Sequence, residues 1–520
     1  MSLPAGDSEH RHDLVRLARG AALNLGGAGV SGVLGFVLAV VVARGLGATQ
    51  SGVFFATIAF VNIVGAVTEL GAPSGVVRQI SRFRAIGRAE DIPATLRSAI
   101  VPVAVLGVVI GAGMYAAAPG LGRFIAGAGD GSEAAEYLRV ASLFLAVSGC
   151  ASVLTRAFQG FGQMLPVVSL QMLLLPVLRT LLCGGAVLVG LEAAGIGLAW
   201  YLPMLIVLVA SIPWLRMRVA RTRVEPVEAP RPSSEVASEF WRFTAFQAVA
   251  TVVQIVLLRL DVVLVSSLRS AEEAGIYAAA SRYLTFGVMI STAVVFVIGP
   301  QLSGMIAQRA FGRARGVYQA ATMWLSAISF PIYLALAAFA PLMLRLFGEK
   351  FTQGATALMI LSLAMLVNMG TGAVRAALFM GGKSSWILLD NAVALAVNVA
   401  LNLILIPEYG MSGAAVAWAA SIVVGNLLPL FQVWRLWELQ PLGPGYGAVT
   451  LSAIGCFGLT GLIARATLGD SIPAFVVYAV VGTALYALSA WRLRDRLQLA
   501  VLWDAVRVRG ARAPQPATTI

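Results

Sequence analysis

Charge is what this 520-residue sequence has least of: Asp, Glu, Lys and Arg make up 12% of it, against 59% hydrophobic residues. Soluble globular chains carry about 25% charged residues, so the composition excludes a water-soluble fold of this size. Lysine is nearly missing, with Lys350 and Lys383 standing against 35 arginines, as in a chain from a GC-rich genome. Histidine is confined to His10 and His12. The three cysteines, Cys150, Cys183 and Cys456, each lie in an apolar run, which leaves no disulfide framework and no metal-ligand cluster. The first 20 residues are polar and lack an apolar stretch ending in a small-residue cleavage site, so the first span is expected to act as an uncleaved anchor. The alternating segments of about 10 residues that build a membrane β-barrel are missing too.

Apolar runs of about 20 residues, each able to cross a ~30 Å hydrocarbon core as a helix, recur along the whole chain. The first half carries them near 21–43, 52–71, 98–118, 137–158, 165–190 and 195–213. The second half places them near 240–267, 275–300, 318–340, 355–380, 384–406 and 411–433, and two more follow at 446–466 and 471–491. The expectation is an all-α polytopic membrane protein of about 14 transmembrane helices. Residues 1–20 and 492–520 are then tails, and 214–239 is a basic, Pro-rich linker.

The net charge of +13 raises the question of nucleic acid, but its distribution answers it. With the N-terminus inside, 24 of the 37 basic residues fall on cytoplasmic segments, 6 on outer loops and 7 within spans, Arg156 among these at the cytoplasmic end. That is the positive-inside bias of a multi-pass protein with both termini in the cytoplasm. No nucleic-acid partner is expected.

The two halves on either side of the linker repeat each other. ATQSGVFFA (48–56) matches AEEAGIYAA (271–279), which sets Gly52 against Gly275 at an offset of 223. AIGRA (85–89) matches AFGRA (310–314); Arg156-Ala157 matches Arg375-Ala376 at 219; GIGLAW (195–200) matches GAAVAW (413–418). Six intervening spans leave both copies in the same orientation, so residues 21–213 and 240–433 read as two pseudo-symmetric six-helix bundles, with 446–491 as an appendage. Like bundles without a large aqueous domain belong to transporters that rock about a central cavity.

VVARGLGATQSGVFFATIAF with ELGAPSGVVRQISRF, and later RLDVVLVSSLRSAEEAGIYAAASRY ending in GPQLSGMIAQ, resemble the bacterial polysaccharide-biosynthesis flippases, the O-antigen type. These belong to the multidrug/oligosaccharidyl-lipid/polysaccharide exporter superfamily, and the resemblance covers essentially the whole chain. It implies alternating-access translocation of polyprenyl-pyrophosphate-linked oligosaccharide, for cell-surface polysaccharide synthesis, across the bacterial cytoplasmic membrane.

Charges inside spans are costly, about 2.5–3.5 kcal/mol at a helix centre on insertion scales, and therefore mark functional candidates. Arg179, Arg259, Arg282, Arg375 and Arg156 are the candidate ligands of an anionic cargo, since a guanidinium stays charged and grips phosphate oxygens in pairs. Asp261, Asp390 and Glu69 are the candidate sites for coupling to a Na⁺ or H⁺ gradient. The alternative for each is a fixed structural pair.

Lys383-Ser384 after Gly382 imitates the end of a phosphate loop, but Ala377 stands where that motif needs Gly, so an ATPase is rejected. No cofactor, metal or enzymatic activity is expected. The rival readings are a lipid II flippase and a cation-coupled multidrug exporter of the same superfamily. Less favoured is a membrane glycosyltransferase, which needs a larger outer domain than residues 119–136 supply. Membrane lipid is an expected partner, and the linker and tails are candidate docking points for polymerase or ligase machinery.

Overall fold

The computed structural model describes residues 5–127, 129–222 and 231–493. The ends of the two tails (1–4 and 494–520) and the middle of the linker (223–230) lie outside the described residues. Every element among those described is a helix. Among the described residues, twelve helices are long and apolar enough to cross a membrane. Two of them are double length: α1 (Ala5–Glu69) and a helix that ends the second half (Ser384–Trp437). Their apolar stretches run 47 and 53 residues, about 70 and 80 Å at 1.5 Å per residue, more than twice a bilayer core. Each is broken near its middle by a glycine, Gly47 (φ 75°) and Gly410 (φ 55°), in backbone that L side chains avoid. Those glycines fall in the gaps between the runs 21–43 and 52–71, and between 384–406 and 411–433.

After α1 come α2 (Ala72–Ala85), α3 (Ile92–Ala126), α4 (Ser132–Gly160), α5 (Met164–Val189) and α6 (Ala193–Thr222). The second half opens with α7 (Ser233–Leu268), α8 (Ala271–Arg282) and α9 (Thr285–Ala307). It continues with α10 (Phe311–Ala338), α11 (Ala355–Gly370), α12 (Val374–Met380) and the long α13 (Ser384–Trp437). Last are α14 (Tyr446–Leu468) and α15 (Ile472–Arg492).

Two expected spans are broken. The run 275–300 divides at Tyr283 and Leu284 into α8 and α9, and 355–380 divides at Gly372 (φ 67°) into α11 and α12. The linker is also shorter than 214–239, because α6 extends to Thr222 and α7 begins at Ser233.

Large apolar side chains face outward in numbers that water would not tolerate, among them Leu188 at 87% exposure. Lipid is the solvent they suit. Polar side chains inside the helices return their hydroxyls to the preceding turn, as Thr57 does to the Val53 carbonyl (2.8 Å) and Thr155 to Ala151 (2.6 Å). In lipid that satisfies donors that have no water to meet.

On the face opposite the linker the halves meet without a gap. A Cβ on Gly52 would strike the Ala271 carbonyl and the Gly275 nitrogen; one on Gly275 would strike the Ala48 carbonyl and the Gly52 nitrogen. The contact is reciprocal between the very residues matched by the repeat. Only glycine lets two backbones approach so closely. Arg44 Nε donates to the Leu346 carbonyl (2.7 Å) and Ser266 Oγ to the Ile125 carbonyl (2.6 Å), tying the halves together on the same face.

The linker face is tied differently, through α2. This amphipathic helix buries Val76, Ile80 and Phe83, while Arg78 lies over the Phe243 ring at 4.0 Å. Asp91, its side chain wholly buried, accepts from Arg88 Nε (2.9 Å) and from Arg231 through both its backbone nitrogen and Nε (3.0 Å each). Arg231 also reaches Glu239 at 3.2 Å, and Glu239 pairs with Arg82. The network pins the end of the linker and the start of α7 to the first half. We expect Asp91→Ala to lower unfolding stability by about 2 kcal/mol, less than a fully buried pair because Arg88 and Arg231 keep partial access to water. Thermal unfolding in detergent measures it, and an unchanged Tm would show that the network is not stabilising.

Candidate functional site

Two of the five candidate arginines converge. Arg259 on α7 and Arg282 at the end of α8 lie close enough for the charge of one to act on the other. Arg282 is hemmed in by protein yet keeps partial accessibility. Its guanidinium lies over the ring of Phe55, from the first half, at 5.2 Å. Its Nε is buried without an acceptor, and neither arginine has a carboxylate within ion-pair distance among the described residues. Two like charges sharing a low-dielectric site repel, and among the described residues neither guanidinium has a hydrogen-bond acceptor to compensate desolvation. An anion bearing several oxygens would satisfy both.

Asp261, two residues after Arg259, points into a different environment. It is 4% exposed and accepts from Asn402 Nδ2 (2.7 Å) and the Tyr277 hydroxyl (3.1 Å). Asn402 Nδ2 also reaches Asn398 Oδ1 (3.0 Å), and Asn398 and Asn402 are fully buried. Asn402 Oδ1 has no donor. The cluster therefore gathers a carboxylate, a phenol and the amides of Asn398 and Asn402 in one pocket, with the Asn402 nitrogen facing the carboxylate and its oxygen left free; among the described residues no basic side chain is paired to the carboxylate. Oxygen donors of this kind suit a hard cation. Sequence reasoning found Asp261 and missed its three partners; the signal was Asn-Val-Ala-Leu-Asn at 398–402, two amides one turn apart in an otherwise apolar run.

The other candidates stand apart. Arg375 gives Nε and Nη2 to the Gly425 carbonyl (3.2 and 3.0 Å) and lies in the field of Asp390. Asp390 is 2% exposed and accepts from Gln432 Nε2 at 2.6 Å. Arg156 is exposed, donating to Gln159 Oε1 at 2.9 Å, and its charge reaches Glu69. Glu69 sits at the α1–α2 turn, followed by Leu70 and Gly71 with positive φ. Arg179 on α5 gives Nε to the Trp200 carbonyl (3.1 Å) and lies over the Trp200 ring at 4.4 Å. That ring meets Phe54 edge-on. The structure thus brings Arg259 and Arg282 together and leaves Arg156, Arg179 and Arg375 in separate surroundings.

The sequence model of the family described as polysaccharide biosynthesis protein matches residues 17–306. The chain is 23% identical over 394 residues to the probable low-salt glycan biosynthesis flippase of Haloferax volcanii, covering 74% of this chain and 77% of that one. Its fold is similar to that of the lipid II flippase MurJ in an inward closed conformation (TM-score 0.71, 16% identity, 91% of this chain and 98% of that one). It is also similar to the inward-facing form of a multidrug resistance MATE family transporter of the MOP superfamily (TM-score 0.64, 18% identity, 80% and 99%). Its fold is thus similar to those of two membrane transporters, and by the family match over more than half its length this chain is a member of the polysaccharide biosynthesis protein family.

Proposed function

We propose that the protein moves a polyprenyl-pyrophosphate-linked oligosaccharide across the bacterial cytoplasmic membrane by alternating access, with fourteen crossings and both termini in the cytoplasm. The observation that carries this reading is the unpaired arginine couple. Arg259 and Arg282 offer several donors to an anion and meet no carboxylate among the described residues. A pyrophosphate can take both guanidiniums in bidentate fashion and cancel their repulsion. A cationic drug would add to that repulsion, which disfavours the multidrug reading. The same headgroup chemistry serves a lipid II flippase, and the two readings differ only in the sugar.

The double-length α1 and α13, each divided at a glycine, supply the two crossings that take the count from twelve helices to fourteen. The glycine contact then closes the outer face, leaving the cytoplasmic side as the side of entry.

The second element is coupling. We infer that Asp261, with Asn398, Asn402 and Tyr277, takes a monovalent cation, Na⁺ ahead of H⁺ because amide oxygens ligate the metal ion directly. Arg259 rides on the same turn of α7 as Asp261, so filling the cation site bears on the cargo site. Asp261→Asn is expected to make transport independent of a Na⁺ gradient in proteoliposomes while the protein stays folded. Gradient dependence equal to that of the parent would remove Asp261 from coupling and leave Asp390 and Glu69 as the carboxylates to test.

A further inference from the structure

We infer that Arg179 is a built-in cation occupying the first half's counterpart of the Asp261 pocket, a positioning residue rather than a ligand of the cargo. The sequence repeat makes the comparison. The offset of 223 that pairs Gly52 with Gly275 carries Leu38 onto Asp261 and Phe54 onto Tyr277. The offset of 219 that pairs Arg156 with Arg375 carries Arg179 onto Asn398 and Cys183 onto Asn402.

The packing bears the correspondence out. On α1 and α5, Leu34 meets Thr180, Val41 meets Gly184 and Gly45 meets Val187. Leu38 and the fully buried Cys183 are enclosed within that ladder, as Asp261 and Asn402 meet in the second half. One helical turn before Cys183 stands Arg179; one turn before Asn402 stands Asn398.

The two pockets are chemically complementary. The second half presents a carboxylate, two amides and a phenol, and among the described residues no basic side chain pairs with that carboxylate. The first half presents leucine, a thiol and a phenyl ring in their places, and brings its own guanidinium. Arg179 has no carboxylate within ion-pair distance among the described residues, and its neighbours are the Trp200 carbonyl and ring, Tyr201 and Cys183. A mobile cation entering there would meet a fixed positive charge and no countercharge. One half is left to bind the coupling ion, and the other holds its charge permanently. Through Trp200 and Phe54, Arg179 supports the turn of α1 that presents Phe55 to Arg282.

The test uses the purified full chain, with farnesyl pyrophosphate as a short-tailed probe of the headgroup site and radioactive sodium as the probe of the cation site. Arg179→Met is expected to bind farnesyl pyrophosphate within about twofold of the parent, to slow transport, and to leave the half-saturating cargo concentration unchanged; Arg179→Lys should recover the rate. Weakening of farnesyl pyrophosphate binding by about tenfold or more in Arg179→Met, comparable to Arg282→Ala, would overturn the inference. As a second arm, Leu38→Asp combined with Arg179→Asn should raise sodium binding from one ion per chain to two; one ion in the folded double variant would also overturn it. Only this arm rests on the cation reading. Should the parent bind no sodium, that reading fails, and the headgroup comparison still decides the role of Arg179.

Discussion

Arg282→Ala is expected to reduce transport by about a hundredfold or more, with the protein inserted and folded as before. Removing one partner from a desolvated, hydrogen-bonded charge pair costs on the order of 3 kcal/mol, and each 1.4 kcal/mol is tenfold. The folded protein should tolerate the change. Arg282 has a buried Nε without an acceptor, so its removal relieves an uncompensated charge and a repulsion with Arg259. Loss of function with retained or raised thermal stability is the signature of a group kept for its ligand. Arg282→Lys should restore only part of the rate, because a single ammonium cannot grip two phosphate oxygens in a planar fork. Normal transport by Arg282→Ala would exclude the couple as the cargo site. A fall in stability matching the fall in transport would make Arg282 a structural residue.

A side chain at Gly52 is expected to act on the face opposite the linker. Its Cβ would land on the Ala271 carbonyl, a backbone atom that cannot rotate away. Overpacking at a tight contact costs about 1–3 kcal/mol, and here separation of the halves relieves it. Gly52→Val should therefore bias the protein toward a form open on that face. Transport should fall by about tenfold or more, and farnesyl pyrophosphate should still bind, since the substitution leaves Arg259 and Arg282 in place. Spin labels placed across the contact, on Gln50 and Glu272 after their replacement by cysteine, should report a longer distance. Gly275→Val should behave alike, because the contact is reciprocal. An unchanged distance with parental transport would show that the crossing is not a closure that moves.

The spans were legible in the sequence because lipid demands long apolar runs, and glycine marked where two of them join end to end at Gly47 and Gly410. The repeat was legible as well, down to the pair Gly52 and Gly275, though nothing in the sequence says that matched residues touch each other. What stayed hidden was set by tertiary packing. Asn402 reaches Asp261 across 141 residues and Arg231 reaches Asp91 across 140. No local pattern encodes such distances. The helix α2 is readable in principle from Val76, Ile80 and Phe83 at helical spacing, but it falls between two apolar runs, where span length gives no sign of it. The candidate arginines divide for the same reason. Repeat symmetry pairs Arg156 with Arg375, yet one is exposed beside Gln159 while the other caps the Gly425 carbonyl near Asp390. Intramembrane charge identifies candidates, and only their neighbours separate a cargo ligand from a fixed cation.

Transbilayer movement itself tests the central claim most directly. The purified protein would be reconstituted in vesicles carrying a polyprenyl-pyrophosphate-linked oligosaccharide, and the sugar exposed on each leaflet measured with an impermeant lectin under a Na⁺ gradient. Sugar should appear on the far leaflet in parent vesicles and stay where it began in Arg282→Ala vesicles. Equal leaflet distributions in parent, variant and protein-free vesicles would contradict the account and return the protein to the wider set of transporters that share its fold.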